Sequence, residues 1–250
     1  MSEIDPQPLL NPTTILADDE AHVWHVDLDA WETAVGQLLE TLNVEEQERA
    51  ARFKVSAPCS QFVISRALLR RALGLYLGED ASKIRFRTTA NGKPELDMQC
   101  DLRFNLSHTE GATVFAVTRN RGIGVDVEHI RDNTDTMALA ARFFSAEEVQ
   151  WLRAQPAAEL VPSFFRVWTG KEAYIKAHGD GLSKLLSSFS VLPADEKSQL
   201  RLKVYDDPEE SERWRMWKLE LGPGLRAALA IEGDGTRVRL GKWPAPKMRC

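Results

Sequence analysis

The 250-residue chain has few of the residues that build disulfide or soft-metal frameworks. Its three cysteines, Cys59, Cys100 and Cys250, lie far apart and form no Cys-x-x-Cys pair. This excludes a disulfide framework and a cysteine-built zinc site. The five histidines show no His-Glu-x-x-His spacing. We therefore expect the reducing cytoplasm as its compartment, and we expect any bound metal to be held by oxygen ligands.

Two further absences narrow the class of protein. No apolar run approaches the roughly 20 residues that a membrane-spanning helix needs, and residues 1–12 lack the basic start and apolar core of a secretory signal. The 32 Lys and Arg residues are outnumbered by 37 Asp and Glu residues, which gives a net charge of −5. A general nucleic-acid coat would need the opposite balance. The sequence thus predicts binding to neither membranes nor nucleic acids.

The length and the order of patterns predict two similar halves. The chain is long enough for one large domain or two small ones of roughly 125 residues each, and helical patterns are followed by strand patterns twice along it. We predict an α+β fold with two similar subdomains in a pseudo-twofold arrangement, each packing helices on an antiparallel sheet. The predicted parts are an extended arm (1–19), an N-terminal subdomain (20–132) and a C-terminal subdomain (133–250), with the active site between the halves.

Several single elements can also be placed from their patterns. Loose alternation over residues 21–28 predicts a first edge strand. A broad apolar stripe over residues 61–77 predicts a helix. Ser145, followed three residues later by Glu148, is typical of a helix N-terminus. A long helix is predicted from Pro162 to His178, with Gly179 as the residue that ends it.

Two carboxylates form the first candidate site. Asp126 and Glu128 lie two residues apart in the segment Gly-Ile-Gly-Val-Asp-Val-Glu. On a strand, residues i and i+2 share a face, so both side chains leave together with their Cβ atoms about 6.5–7 Å apart. An exposed strand with two solvated acids explains the pair as well. In a partly buried strand, however, the two would raise each other's pKa unless a cation neutralised them.

The second candidate is a charged stretch on a predicted aromatic helix. Glu172 and Lys176 are i,i+4 neighbours, and Lys171 lies beside them. An ordinary surface Glu–Lys pair, worth a few tenths of a kcal/mol, accounts for this spacing. The same residues could instead supply one phosphate cation and one metal carboxylate. Both interpretations stay open on these residues alone.

Two short motifs offer further polar groups. Ser107 and His108 follow a strand predicted over residues 101–106, and their hydroxyl and imidazole are suited to hydrogen-bond a phosphate. A Ser-His-acid hydrolase is the rival, but the chain has no Gly-x-Ser-x-Gly elbow. In an Asn-Gly-Lys-Pro turn, Lys93 is held out by the rigid Pro94. Neither motif decides a function by itself.

Taken together and in order, these segments resemble the 4′-phosphopantetheinyl transferases of the Sfp type. The resemblance covers about residues 50–192, and its specific part is the pair of motifs Gly-Val-Asp-Val-Glu (124–128) and Trp-x-x-Lys-Glu-Ala (168–173). It implies an enzyme, a holo-[acyl-carrier-protein] synthase or 4′-phosphopantetheinyl transferase. Such an enzyme moves the phosphopantetheine arm of coenzyme A onto a serine of an apo acyl or peptidyl carrier protein and releases adenosine 3′,5′-bisphosphate.

The resemblance also implies a role for each matching residue. The implied Mg²⁺ ligands are Asp126, Glu128 and Glu172. The implied catalytic residues are Glu172, as the general base acting directly or through a water, and Lys171 and Lys176 beside the pyrophosphate. The implied coenzyme A contacts are Lys93, Pro94, Ser107, His108, Lys171 and Lys176. Arg49, Arg52 and Arg66 are the candidates for the 3′-phosphate, and the sequence does not choose among them.

The carrier protein is expected to dock next to Asp126 and Glu128, on residues 130–137 and the helix that follows. Because carriers are usually acidic and this chain has a net charge of −5, docking would use apolar side chains together with local arginines. These are Met137, Leu139, Arg131 and Arg142. Fatty-acid, polyketide and nonribosomal-peptide carriers are all candidates, and two fused halves favour a monomer.

Two other classes of function fit some of the same residues. A Mg²⁺-dependent phosphohydrolase acting on a small nucleotide would need the same metal and phosphate groups. A non-catalytic protein that binds coenzyme A or a carrier would retain the fold, but the presence of all three acids and Lys171 argues against it.

Overall fold

The structure is a computed structural model that describes residues 4–5, 15–179, 185–194 and 198–246. These residues contain seven α-helices and twelve strands. The helices are α1 (Val35–Leu39), α2 (Val44–Ala51), α3 (Ser56–Leu77), α4 (Thr136–Phe143), α5 (Ala146–Arg153), α6 (Ala157–His178) and α7 (Pro208–Arg213). The strands are β1 (Ile4–Asp5), β2 (Glu20–Asp27), β3 (Phe86–Thr88), β4 (Pro94–Leu96), β5 (Leu102–Thr109), β6 (Ala112–Arg119), β7 (Ile123–His129), β8 (Phe189–Pro193), β9 (Gln199–Val204), β10 (Trp214–Leu219), β11 (Leu225–Glu232) and β12 (Arg237–Lys242). Within this part of the chain, no helix has the length and apolar character of a membrane span.

The first large sheet has five strands in the order β1-β12-β2-β6-β5. Helix α3 covers one face of it, and the buried side chains of its apolar stripe, such as Val63, Ile64 and Leu68, share a core with Trp24 and Phe115 of the sheet. Burying these side chains provides the main stabilisation of this half. The helix predicted over residues 61–77 is confirmed, although it begins five residues earlier, at Ser56.

Strand β2 was predicted at the edge of a sheet, and this prediction is wrong. It lies in the middle, because β12 from the far end of the chain inserts beside it in parallel, with Val238 opposite Ala21 and Leu240 opposite Val23. After β12, Trp243 packs edge-on against the Trp24 ring at 5.1 Å between centroids. The partner strand lies more than 200 residues away in the sequence, so local alternation carries no sign of it.

The second large sheet has the order β7-β11-β10-β9-β8 and is antiparallel. Helix α6 lies on it and approaches β7 very closely at Gly124. A Cβ atom at Gly124 would overlap the Ala173 carbonyl oxygen and the Ala177 amide nitrogen. The glycine therefore lets α6 and β7, which carry the candidate acids, lie in direct contact.

The sheet pairing places the division between the halves earlier than residue 132. The chain leaves the first sheet at the end of β6, and β7 already pairs with β11 of the second sheet. Strand β12 then returns to the first sheet. The predicted α+β fold with two similar halves is confirmed, since each half packs a 22-residue helix, α3 or α6, on a five-stranded sheet. The first sheet is mixed and not antiparallel throughout as predicted, because β12 pairs in parallel with both β1 and β2.

Side chains of β5 join the two sheets. Three alternate β5 side chains accept hydrogen bonds from alternate main-chain amides of β7: Asn105 Oδ1 from Val125 (2.9 Å), Ser107 Oγ from Val127 (3.4 Å) and Thr109 Oγ1 from His129 (3.1 Å). This ladder satisfies amides that an edge strand would otherwise leave unpaired. It also holds the strand with Asp126 and Glu128 against the first half.

The starts of α5 and α6 test two predictions. Ser145 and Glu148 form the predicted capping box at the start of α5. Helix α6 begins at Ala157 and not at Pro162, which lies inside it. A proline in the second turn removes one main-chain hydrogen bond, which packing of the long helix outweighs. Residues 180–184, within the stretch that the resemblance covers, and most of the predicted arm, residues 1–3 and 6–14, lie outside the described residues.

Candidate active site

Asp126 lies at the centre of a polar cluster between the halves. Its side chain is buried, and its Oδ1 accepts hydrogen bonds from Lys176 Nζ at 2.6 Å and from Ser107 Oγ at 2.8 Å. Lys176 Nζ also donates to Ser107 Oγ at 2.9 Å. Asp126 Oδ2 is buried with no hydrogen-bond partner among the described residues. One oxygen of this carboxylate is therefore held in place, and the other is unsatisfied.

Glu128 and Glu172 extend this cluster along β7 and α6. Both are half-buried, and Glu128 pairs with the exposed Arg131 at 3.1 Å. Burial, and next the charge of Asp126, raises the pKa of each glutamate above its ordinary value, while Lys176 opposes the shift. The cluster thus carries a surplus of negative charge that a bound cation would relieve.

The three acids do not form a preassembled metal site. Among the residues that the structure describes, no three carboxylate, imidazole or thiol groups are arranged to hold one ion. Lys176 occupies Oδ1 of Asp126, and Arg131 contacts Glu128. The three predicted ligands thus lie on the neighbouring elements β7 and α6, but their carboxylates do not surround a common point.

The surplus charge leads to a stability prediction for Glu128→Gln. Because the pKa of Glu128 is raised above 4.5 in the folded protein, its ionisation destabilises the fold, and stability falls as pH rises through the window from about 4.5 to the raised value. At pH 7 the variant should therefore unfold at a higher temperature, by roughly 2–4 °C for a gain of about 1 kcal/mol. Thermal unfolding of the unliganded proteins between pH 4 and pH 8 measures this. A difference in Tm that does not shrink towards pH 4 would contradict it.

Ser107 and His108 were predicted to lie beyond the end of a strand, but the structure places them inside it. Strand β5 continues to Thr109, so the two neighbouring side chains point to opposite faces. Ser107 is buried against Asp126, whereas His108 is exposed. Partial desolvation, with the nearby charges of Lys176 and Arg49, lowers the pKa of His108. The structure thus brings Ser107 to the acids and His108 to a basic neighbourhood beside them.

Lys171 points away from the acids, into the interior of the second half. Its Nζ lies 2.7 Å from both carboxylate oxygens of Glu148 and 2.7 Å from the Phe189 carbonyl oxygen. Burial lowers its pKa to about 8. An ammonium with three short hydrogen bonds has no donor left for a pyrophosphate. The structure does not bring Lys171 together with the site, because its neighbour Glu172 takes the cleft-facing position on the helix.

The three candidate arginines have different surroundings. Arg66 is largely buried, pairs with Glu46 at 3.1 Å and stacks on Phe86. Arg52 is exposed, and its contact with Glu48 is long, at 3.8 Å. Arg49 stacks on Phe62, with 4.7 Å from its Cζ to the ring centroid. It also lies close enough to His108 to lower the pKa of that imidazole. Arg49 is therefore the arginine that the structure brings to His108, one of the residues predicted to contact phosphate.

A cavity of about 240 Å³ opens beside Glu172 and Lys176. One wall is the turn of residues 91–94, which includes Lys93 and Pro94, and the other is the last part of α6. Asn105 and Leu106 of β5 complete the lining. The cavity thus lies between the halves and carries both a carboxylate and an ammonium.

Comparison with known proteins decides the family. Residues 23–120 match the N-terminal domain of 4′-phosphopantetheinyl transferases, and residues 122–231 match the 4′-phosphopantetheinyl transferase superfamily. The chain is 36% identical over 233 residues to the 4′-phosphopantetheinyl transferase HetI of Nostoc sp., covering 92% of this chain and 94% of that relative. The chain belongs to the 4′-phosphopantetheinyl transferase family.

A further sequence relative agrees with this assignment. The 4′-phosphopantetheinyl transferase Sfp of Bacillus subtilis is 31% identical over 189 residues, which cover 75% of this chain and 81% of Sfp. A solved holo-[acyl-carrier-protein] synthase from Thermotoga maritima overlaps 45% of this chain and 63% of its own, at a TM-score of 0.37 and 19% identity. The predicted Sfp-type family and the enzyme class are confirmed by the sequence relatives.

Two groups of residues around this transferase site were not predicted. Glu148 was expected only as a helix cap, yet it also binds Lys171 and the Val191 amide. Asn105 and Thr109 were given no role, yet with Ser107 they support β7. Their spacing at i, i+2 and i+4 is the one signal in the sequence, and it needs the position of β7 to be interpreted.

Proposed function

We propose that this transferase moves the 4′-phosphopantetheine arm of coenzyme A onto a serine of an apo acyl or peptidyl carrier protein and releases adenosine 3′,5′-bisphosphate. The observation that carries this proposal is the cluster of Asp126, Glu172 and Lys176 at the edge of the cavity between the halves. The ammonium suits the charge of a phosphate ester, and a neighbouring carboxylate suits the deprotonation of the hydroxyl that attacks it. Because one chain supplies both walls, we propose that it acts as a monomer.

Coenzyme A would use the basic groups at this edge. Lys176 would contact the pyrophosphate from α6, where its side chain is partly exposed. Arg49 and His108 would contact the 3′-phosphate, since the charge of Arg49 acts on His108 and both side chains are exposed. Pro94 would pack on the adenine end, from the opposite wall of the cavity. These contacts are the roles that the resemblance implies, with Arg49 chosen because of its place beside His108.

Mg²⁺ fits the donor set, with Asp126, Glu128 and Glu172 as the groups that would hold it. The unsatisfied, buried Oδ2 of Asp126 and the raised pKa values of both glutamates favour a cation here. Mg²⁺ commonly uses only one or two carboxylates and completes its shell with phosphates and water. It does not, therefore, need the closed trio that the described residues lack. When bound, it would neutralise charge on the pyrophosphate.

The chain's own groups account for the proton and the orientation. The carrier serine oxygen bonds to the phosphorus next to the pantetheine arm, and the bond from that phosphorus to the bridging oxygen breaks. The serine proton passes to Glu172, directly or through a water. Half-burial raises the pKa of Glu172 above its ordinary value, which makes its carboxylate a stronger base. Lys176, held by Asp126 and Ser107, stabilises the charge left on the leaving phosphate.

The carrier would dock on α4 and the segment before it. Met137, Leu139 and Phe143 are partly buried apolar side chains there, and the exposed Arg131 and Arg142 lie near them. Replacing Met137 with Asp should raise the KM for the carrier about tenfold or more, because a carboxylate would be desolvated against an acidic partner. The KM for coenzyme A should not change. Steady-state kinetics with each substrate varied in turn measures both, and an unchanged KM for the carrier would contradict the docking site.

One assay tests the function itself. The protein is incubated with coenzyme A, Mg²⁺ and an apo carrier protein, and the carrier is then weighed by mass spectrometry. A gain of one phosphopantetheine supports the proposal. Nucleotide release without a gain in carrier mass would indicate a phosphohydrolase, and neither change would indicate a binding protein. A panel of fatty-acid, polyketide and nonribosomal-peptide carriers in the same assay identifies the pathway served.

A further inference from the structure

The side chain of Lys93 is bound by the second half of the molecule. Its Nζ donates to the Lys176 carbonyl oxygen at 2.6 Å and to the Ile123 carbonyl oxygen at 3.2 Å. In the same turn, Asn91 Nδ2 donates to the Gly179 carbonyl oxygen at 2.8 Å. The turn of the first half is thus tied through two side chains to the end of α6 and to the start of β7.

These bonds are placed where the helix needs them. The last four carbonyl groups of a helix have no partner within it, and its C-terminus carries partial negative charge. Lys176 supplies one of these four carbonyls in α6. An ammonium bound there satisfies the carbonyl and complements the dipole. Burial lowers the pKa of Lys93, so its charge depends on such partners.

The tie also forms the cavity. The turn of residues 91–94 and the end of α6 both line it, and Lys93 joins them directly. The residue whose carbonyl Lys93 binds is also the residue whose ammonium binds Asp126. A shift of this contact would therefore change both the width of the cavity and the position of the Lys176 side chain.

We propose that Lys93 is a positioning residue, which sets the width of the coenzyme cavity and the position of Lys176 by tying the turn to the end of α6, and does not itself bind phosphate. The proposal rests on the proposed function insofar as the cavity takes coenzyme A. The tie itself is independent of any ligand. It departs from the role that the resemblance implies for Lys93, because two carbonyl oxygens already take up its ammonium.

Four variants test this proposal. Lys93→Met keeps the length of the side chain and removes the donor, Lys93→Arg keeps a cationic donor, and Asn91→Ala removes the neighbouring tie. Lys83→Met is the matched control, since Lys83 is an exposed lysine that precedes the same hairpin. Hydrogen exchange followed by mass spectrometry on the unliganded proteins reports on residues 86–96 and 174–179. Calorimetry with coenzyme A at low and high ionic strength reports on the cavity.

In Lys93→Met, both peptides should exchange faster and coenzyme A should bind about tenfold more weakly. The tenfold factor should be the same at both ionic strengths, because the lost partners are neutral carbonyls. Lys93→Arg should recover part of both effects, Asn91→Ala should show smaller ones, and Lys83→Met none. Unchanged exchange in Lys93→Met would overturn the tie. If the loss of coenzyme A affinity in Lys93→Met shrank at high salt, Lys93 would contact a phosphate and the positioning role would be wrong, since salt screens charge pairs.

The exchange result separates this proposal from the proposed function. If the wild-type protein bound no coenzyme A, the proposed function would fail, but the exchange of the two peptides would still test the tie. If the wild-type protein modified a carrier and Lys93→Met did so with unchanged kcat and unchanged KM for coenzyme A, the positioning role would fail and the proposed function would stand.

Discussion

Replacing Glu172 with Gln is expected to slow phosphopantetheine transfer by roughly 10²–10⁴-fold, the usual contribution of a general base. Glutamine keeps the size of the side chain and cannot accept the serine proton. Coenzyme A should bind about as tightly as before, since its phosphate contacts are assigned to Lys176, Arg49 and His108. Mg²⁺ should still bind as well, because it commonly uses only one or two carboxylates, and Asp126 and Glu128 remain. Single-turnover rates with saturating carrier, together with calorimetry for coenzyme A, measure the two effects separately.

The control for this variant is Glu159→Gln, because Glu159 is an exposed acid in the first turn of the same helix. It should transfer at the wild-type rate. The pH profile adds a second readout. In the wild type the rate should rise with pH as Glu172 loses its proton, over a range displaced above the ordinary pKa of 4.5. Glu172→Gln should lack this rise. Transfer by Glu172→Gln at the wild-type rate would show that another group removes the proton.

The acids of this site could be found from sequence because strand periodicity and short motifs are local properties. Asp126 and Glu128 share a face of β7, as their i, i+2 spacing predicts. Their partial burial could be expected from the glycines, and Gly124 does allow α6 to pack on β7. What the pattern could not show is that Lys176 and Ser107 would occupy one oxygen of Asp126, since these three residues come from different elements.

The fold was predictable at the level of its class and its two halves, but not at the level of its connections. The β12 strand pairs with β2 across more than 200 residues, and no local signal encodes such a partner. The point at which the chain passes from the first sheet to the second, between β6 and β7, depends on distant residues in the same way. Whether β7 pairs with β5 or β11 depends on the second half, while its own sequence is compatible with either sheet.

Lys171 shows that a matching motif does not establish the direction in which a side chain points. On a helix, neighbouring residues differ by about 100° in orientation, so Lys171 and Glu172 cannot both face the cleft. Glu148, 23 residues earlier in the chain, decides which one does, because it offers a buried carboxylate to Lys171. Glu148 can be recognised from the sequence only as a cap, because no local pattern pairs it with Lys171.

Replacing Lys171 with Met is accordingly expected to destabilise the folded protein by about 3–5 kcal/mol, because Glu148 would keep a buried charge without its partner. Both side chains are almost fully buried, at 1% and 0% exposed. Urea unfolding at pH 7, fitted for midpoint and slope, measures the change. Lys203→Met is the control: Lys203 pairs with Glu147, next to Glu148, but is 54% exposed. Its loss should cost less than about 1 kcal/mol.

A second substitution separates charge burial from packing. In the double variant Lys171→Met with Glu148→Gln, neither of these two positions carries a charge. The glutamine can still accept the hydrogen bond from the Val191 amide that Glu148 accepts at 2.7 Å. The double variant should therefore be more stable than Lys171→Met alone. Coenzyme A should bind it within about threefold of the wild type, because Lys171 does not face the cavity. If Lys171→Met kept the wild-type midpoint and lost coenzyme A binding instead, its ammonium would have to reach the phosphates, and the buried pair with Glu148 would not represent the working enzyme.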